Sequence, residues 1–143
     1  MLPLSRPHEL VMGPDSIGRE LTSVGHVRRT VRQFLEHEGV ADSQDDVLLV
    51  LSELVTNSMI HTPDAPEVVV RHQHRPERID IEVSDGSPLL PVPRIADVGP
   101  HGGRGLRIVD HLSAAWGVRP SDGGKTTWAS VPIPVSGLRP SMT

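Results

Sequence analysis

The sequence contains no cysteine and no tyrosine, and its aromatic side chains are limited to one phenylalanine and two tryptophans. The absence of cysteine excludes disulfides and thiolate metal sites. Because so few aromatic residues are present, a hydrophobic core must be built almost entirely from valine, leucine, isoleucine and alanine.

An excess of positive charge is also missing, since the formal net charge is −4. A nucleic-acid-binding surface normally appears as a cluster of lysine and arginine, so direct binding of nucleic acid is not expected. No apolar run is long enough to span a bilayer, and the N-terminus has no secretory signal pattern. These absences favour a cytoplasmic protein that makes no membrane contact.

A length of 143 residues indicates one domain. We expect its core to cover about 16–133, with terminal segments at 1–15 and 134–143. Apolar residues at helical spacing predict a first helix from about Ser16 to Glu38. Its apolar face is a candidate homodimer interface, although packing against the core explains that face equally well.

The segment 41–61 shows the strongest helical pattern, because a wide apolar stripe follows two aspartates at its start. Asp42 or Ser43 can cap this helix. Alternating apolar residues then predict a hairpin of two strands at 67–74 and 78–85.

The stretch 86–103 has no period and many prolines, so it is predicted to be a long loop. A helix from Gly105 to about Ala114 and strands at 116–119 and 126–133 complete the chain. This order predicts an α+β fold: a two-layer sandwich whose mixed, mainly antiparallel sheet is covered by helices on one face.

Three residues of the strong helix, Glu53, Asn57 and His61, follow each other at intervals of four and therefore lie in one row. A carboxylate beside an apolar stripe can act as a general base, and an amide oxygen one turn away can bind Mg²⁺. A solvated helix edge accounts for the same spacing.

Asp85 ends a predicted strand at the start of the long loop, where its carboxylate can accept a hydrogen bond from an exocyclic amine. An ordinary Asp-Gly turn is the alternative. Gly102, Gly103 and Gly105, with Arg104 between them, precede a helix whose first amides have no partners within the helix. They suit a phosphate group, although a hinge with close helix packing needs the same glycines.

Two other patterns are rejected. "GGKTTW" resembles a P-loop, but Arg119 stands where that motif requires its first glycine, and a β-branched stretch follows. Thr126 at the start of that stretch can still hydrogen-bond a ligand. His72 and His74 share a strand face, but no further ligand lies at a telling spacing, so no histidine metal site is predicted.

The order of these motifs is more specific than each motif alone. "ELVTNSMIH", "VSDGSP", "GGRGL", "WGV" and "GKTTWA" follow one another between about Arg28 and Pro132. In this order the sequence resembles the GHKL, or Bergerat-fold, ATPases, which include the ATP-binding domains of histidine kinases. Within that family it is most similar to the small serine/threonine kinases that act as anti-sigma factors.

The resemblance implies a role for each matched position. Glu53 would activate the nucleophile or position a water molecule, Asn57 would bind the Mg²⁺ that bridges the ATP phosphates, and Asp85 would bind the adenine amino group. Residues 87–102 would form the ATP lid, with Gly102 as its hinge. The remaining positions implied to contact the nucleotide are Ser87, Gly103, Arg104, Gly105, Leu106 and Thr126.

The first glycine box of this sequence departs from the family pattern. The first glycine box usually reads Asp-x-Gly-x-Gly, but Ser87 and Leu89 occupy the glycine places here. The resemblance implies a kinase that phosphorylates an anti-sigma-factor antagonist and binds a sigma factor. A nucleotide-dependent binding switch without phosphoryl transfer, and a scaffold without nucleotide binding, remain alternatives because of this changed box.

Overall fold

A computed structural model describes residues 7–17, 22–62, 65–86 and 102–134. Within these residues the chain forms five strands, four α-helices and a short 3-10 helix at Ala41–Ser43. In chain order the strands and α-helices are β1 (Glu9–Met12), α1 (Pro14–Ile17), α2 (Thr22–His37), α3 (Gln44–His61), β2 (Glu67–His74), β3 (Glu77–Asp85), α4 (Gly102–Leu112), β4 (Ala115–Ser121) and β5 (Gly124–Pro132).

The five strands form one sheet in the order β1-β2-β3-β5-β4, and each neighbouring pair is antiparallel. The predicted α+β sandwich is thus confirmed, whereas the expectation of a mixed sheet is wrong for the part of the chain that is described. Tight turns join β2 to β3 and, at Asp122–Gly123, β4 to β5, so each of these two pairs is necessarily antiparallel. Gly123 there has φ +71°, a conformation that suits glycine.

The core lies between one face of the sheet and the helices. On β3 the side chains of Ile79, Ile81 and Val83 alternate with more exposed neighbours and are fully buried. They pack in one cluster with residues of α2 and α3, including Phe34 and Leu51. None of the helices in the described ranges is long and apolar enough to cross a membrane.

The structure corrects three predicted boundaries. Glu9–Met12 is not part of a terminal segment but an edge strand paired with β2. In place of one helix from about Ser16, the described residues form the short α1 and then α2, on either side of 18–21. The third correction concerns α4, which starts at Gly102 instead of Gly105, so Gly102 belongs to the helix and is not a hinge outside it.

Candidate active site

Helix α3 carries two of the predicted site residues on one flank. Glu53 and Asn57 are one turn apart, and both are partly exposed. The other flank is marked by Ser52, whose hydroxyl accepts a 2.6 Å hydrogen bond from Arg28 of α2. Since Asn57 lies about 140° around the helix from Ser52, it lies away from α2. Glu53 and Asn57, the two described members of the predicted row, thus form a partly exposed polar edge of a helix that also packs on α4.

Asp85 is held at the end of β3 by two donors. The Ser58 hydroxyl, from the residue after Asn57, donates to Oδ2 at 3.0 Å. The Lys125 ammonium donates to Oδ1 at 2.9 Å, and the side chains of this ion pair are only 3% and 1% exposed. Asp85 is consequently more than a turn residue: it joins the C-terminal half of α3 to the start of β5.

Gly124 allows β5 to approach Asp85 closely. A Cβ atom at this position would lie 1.9 Å from the Asp85 carbonyl oxygen and 2.8 Å from the Cα of Gly86. Backbone atoms cannot yield to such a contact as a flexible side chain can. The close approach explains why glycine precedes Lys125, and it fixes the position of the buried ion pair.

The two threonines of "GKTTW" lie on opposite faces of the sheet. Thr126 pairs with Ser84 in the strand register, and the two hydroxyl oxygens are 2.7 Å apart. Thr127 pairs with Val83 and therefore faces the helices, as Asp85 and Lys125 do. Strand alternation therefore places Thr127, and not Thr126, on the face of the sheet that Asp85 occupies; the predicted nucleotide contact of Thr126 stays a prediction.

Helix α4 provides the glycine-rich part of the predicted site. The backbone of Gly102, Gly103, Arg104 and Gly105 forms its first turn, and Leu106 is buried. The first amides of a helix are free of helical partners and favour an anion. Part of the predicted site lies outside the described residues: lid residues 87–101, which include Ser87, and the side chains of His61 and Arg104.

The donor set is compatible with a magnesium nucleotide. An exocyclic amine such as that of adenine donates hydrogen bonds, and Asp85 presents a carboxylate that already accepts them from Ser58 and Lys125. Oxygen ligands are those that Mg²⁺ prefers, and Asn57 offers one on the adjacent helix. The residues present thus fit the group that the sequence motifs imply.

Two contributors to this site were missed in the sequence. Ser58 lies four residues after buried Leu54, so helical spacing already placed it on the inner face of α3. Lys125 alternates with Thr127, Ala129 and Val131 on the core-facing side of β5. A lysine in an apolar alternation is the usual sign of a buried ion pair, and that sign was available before the fold was known.

Comparison with known proteins gives a result for the family but none for an individual relative. No curated protein matches the chain. One family profile, described as the histidine kinase-like ATPase domain, matches residues 17–131. This range runs from the end of α1 to β5 and includes Glu53, Asn57, Asp85 and the whole of α4. The chain therefore belongs to the family of histidine kinase-like ATPase domains.

Proposed function

We propose that this protein is an ATP-dependent serine/threonine kinase that phosphorylates an anti-sigma-factor antagonist and binds a sigma factor. The observation that carries the proposal is the flank of α3, where Glu53 and Asn57 are half-exposed next to the buried Ser58–Asp85 contact. This arrangement supports a role for Glu53 as the base, for Asn57 as the metal ligand and for Asp85 as the adenine acceptor. The family membership supports ATP as the nucleotide.

The chain's own residues would divide the work of phosphoryl transfer. Asp85 would accept a hydrogen bond from the adenine amine, and the first amides of α4 would bind phosphate oxygens. Asn57 would hold Mg²⁺, which neutralises charge on the phosphates when bound. Glu53 would take the proton from a substrate serine as its oxygen bonds to the γ-phosphorus. The bond from that phosphorus to the bridging oxygen breaks, and ADP leaves.

The protein partners belong to the same proposal. Among the described elements there is no separate helix pair of the kind that carries a phosphoryl-accepting histidine. We therefore propose that the phosphoryl acceptor is another protein. A small antagonist with an accessible serine meets this requirement. Phosphorylation of the antagonist would then decide whether this protein releases or retains the sigma factor.

Transfer of labelled γ-phosphate tests the proposal directly. The wild type, with Mg-ATP and a candidate antagonist encoded near its gene, is expected to label a serine of the antagonist. Glu53→Gln keeps the size and polarity of the side chain but removes the base, so the rate should fall by at least about 100-fold. Asn57→Ala should reduce the rise in melting temperature that Mg-ATP causes, because bound ligand stabilises the folded state.

Matched variants separate the alternatives. Thr56→Ala, on the same helix and equally half-exposed, should keep both transfer and the Mg-ATP shift. Nucleotide binding without transfer to any antagonist would favour a binding switch. No Mg-ATP shift in the wild type would leave only the scaffold, and an unchanged shift in Asn57→Ala would contradict the role given to Asn57.

A further inference from the structure

Four potential metal ligands meet at the end of the sheet that lies far from Asp85. They are His8, Glu38, His72 and His74, and one ligand atom of each lies within 4.8 Å of the others. The sequence indicated only the pair on β2 and predicted no metal site. Folding brings two further candidate ligands to this pair: His8, which precedes β1, and Glu38, which follows α2.

His72 has the two contacts that a histidine ligand normally needs. Its ring is buried, with Nε2 lying 2.8 Å from Glu77 Oε2 and Nδ1 lying 2.8 Å from Glu38 Oε1. In this geometry both ring nitrogens donate to carboxylates; a metal ion would displace the proton on Nδ1, while Nε2 would keep its hydrogen bond to Glu77. Metal-binding histidines are commonly oriented in this way by a carboxylate behind the ring.

Glu38 is the shared centre of the cluster. Its side chain is 5% exposed, and the same oxygen, Oε1, lies 2.6 Å from His8 Nδ1 and 2.8 Å from His72 Nδ1. A buried carboxylate oxygen that two imidazole nitrogens approach from different elements forms a ready ligand set for a cation.

His8 and His74 complete the set from the exposed side. The ring centroids of His72 and His74 are 4.1 Å apart, and those of His8 and His74 are 4.8 Å apart. His8 has φ 64°, a left-handed conformation that is uncommon for a residue with a side chain. Its carbonyl accepts a 2.9 Å hydrogen bond from the His72 amide, which holds it in this position.

We propose that His8, Glu38, His72 and His74 form a structural site for a divalent transition-metal ion of the zinc type. Three imidazole nitrogens and one carboxylate suit zinc, whereas Mg²⁺ and Ca²⁺ prefer sites made of oxygen ligands. Four protein ligands fill a tetrahedral shell and leave no open position for a substrate. The ion would therefore have a structural role, linking elements of the fold, and not a catalytic one.

Small movements are enough to accommodate the ion. Ligand atoms on a tetrahedral zinc lie about 3.3 Å apart, given metal–ligand distances of about 2.0–2.2 Å. The contacts from Glu38 to His8 and His72, now 2.6 and 2.8 Å, must widen by about 0.7 and 0.5 Å respectively. His8 and His74 are exposed and can turn inward without disturbing the core.

The position of the cluster indicates what the ion would hold together. It would link the residue before the edge strand β1, the end of α2 and the end of β2. His72 pairs with Ile79 on β3, six residues before Asp85, so the cluster lies about 20 Å along the sheet from the ion pair at Asp85. Zinc binding therefore does not depend on the proposed nucleotide site.

Calorimetric titration of Zn²⁺ into the chelator-treated full chain, without a histidine tag, tests the site. The wild type is expected to bind one zinc ion with a dissociation constant below about 1 μM, and excess Mg²⁺ should not compete. His8→Ala and His74→Ala change exposed residues and should fold normally. Each should weaken zinc binding by more than about 100-fold, since even outer-shell partners affect affinity 10–100-fold.

Two controls make the result decisive. His26→Ala removes an exposed histidine of α2 outside the cluster and should bind zinc as the wild type does. Zinc should also raise the melting temperature of the wild type and of His26→Ala, but not that of His74→Ala. Failure of the wild type to bind zinc, or equal affinity in His74→Ala, would overturn the proposal and leave a hydrogen-bonded network of histidines and Glu38.

Discussion

Lys125 and Asp85 form an ion pair with an N–O distance of 2.9 Å, and it is buried between β5 and α3. Burial of two charges has a large desolvation cost, which their attraction offsets only while both partners are present. The Ser58 hydroxyl binds the other carboxylate oxygen and adds a further hydrogen bond to the charged group. The pair therefore joins stability of the fold to the residue proposed to bind adenine.

Removal of one charge from this pair is expected to destabilise the fold strongly. Lys125→Met keeps the length of the side chain but leaves Asp85 without its cation, so the free energy of unfolding should fall by about 3–5 kcal/mol. Urea denaturation of the variant and the wild type measures the difference. The double variant Lys125→Met/Asp85→Asn should lose clearly less than the sum of the two single variants, because no buried charge is then left alone. Strict additivity would contradict a coupled pair.

Gly124 offers a separate test of the close approach of β5 to Asp85. Gly124→Ala would place a methyl group 1.9 Å from the Asp85 carbonyl oxygen, and the forced backbone shift should lower the free energy of unfolding by about 1–3 kcal/mol or more. Gly25→Ala on α2 meets only the end of the Arg29 side chain at 3.5 Å. It should instead stabilise the helix by about 0.5–1 kcal/mol. If Gly124→Ala and Gly25→Ala changed the free energy of unfolding by the same amount and in the same direction, the close approach of β5 to Asp85 would be contradicted.

The sequence was sufficient to predict the fold because its strong patterns are local. Alternation predicted β2 and β3, and the apolar stripe predicted α3, in positions that the structure confirms. The edge strand β1 was missed because four residues before a helix carry too little periodicity to be recognised. These residues join the sheet only by pairing with β2, and the paired residues Glu9 and Arg71 are 62 positions apart in the sequence.

The site was less predictable because it depends on pairing register and on distant contacts. The motif order drew attention to Asp85, but neither its bond to Ser58 nor the face of Thr127 follows from spacing alone. A shift of one residue in register moves a side chain to the opposite face of the sheet, so only the pairing of β5 with β3 shows which threonine shares the face of Asp85. Glu38 and His8 were missed for a related reason: only tertiary folding brings them to β2.

Because Thr126 and Thr127 lie on opposite faces of the sheet, we expect their replacement to affect nucleotide binding differently. If the nucleotide lies beside Asp85, Thr127→Val should reduce the rise in melting temperature caused by Mg-ATP. Thr126→Val should reduce it much less, because its hydroxyl contacts Ser84 on the other face. Both changes are nearly isosteric, so a larger loss in Thr126→Val would show that the nucleotide contacts the opposite face.

Arg71 connects three strands on the face of the sheet opposite to the core. Its guanidinium binds Glu9 of β1 at 2.6 Å and Glu82 of β3 at 2.8 Å. Burial tends to lower the pKa of Arg71, but the hydrogen bonds and charges of Glu82 and Glu9 raise it above its usual value. The arginine therefore stays charged at every pH at which the fold is stable, and its contribution should not vary while both carboxylates are ionised.

Replacement of this arginine should loosen the edge strand before it affects the rest of the sheet. Arg71→Met is expected to lower the free energy of unfolding by about 1 kcal/mol, since the guanidinium is partly solvated. Hydrogen exchange should show lost protection first at the amides of β1, because β1 pairs only with β2 in the described sheet. Arg75→Met, in the exposed turn after β2, is the matched control and should change stability by less than about 0.5 kcal/mol. Equal protection of β1 in both variants would mean that backbone pairing alone holds this strand, without help from Arg71.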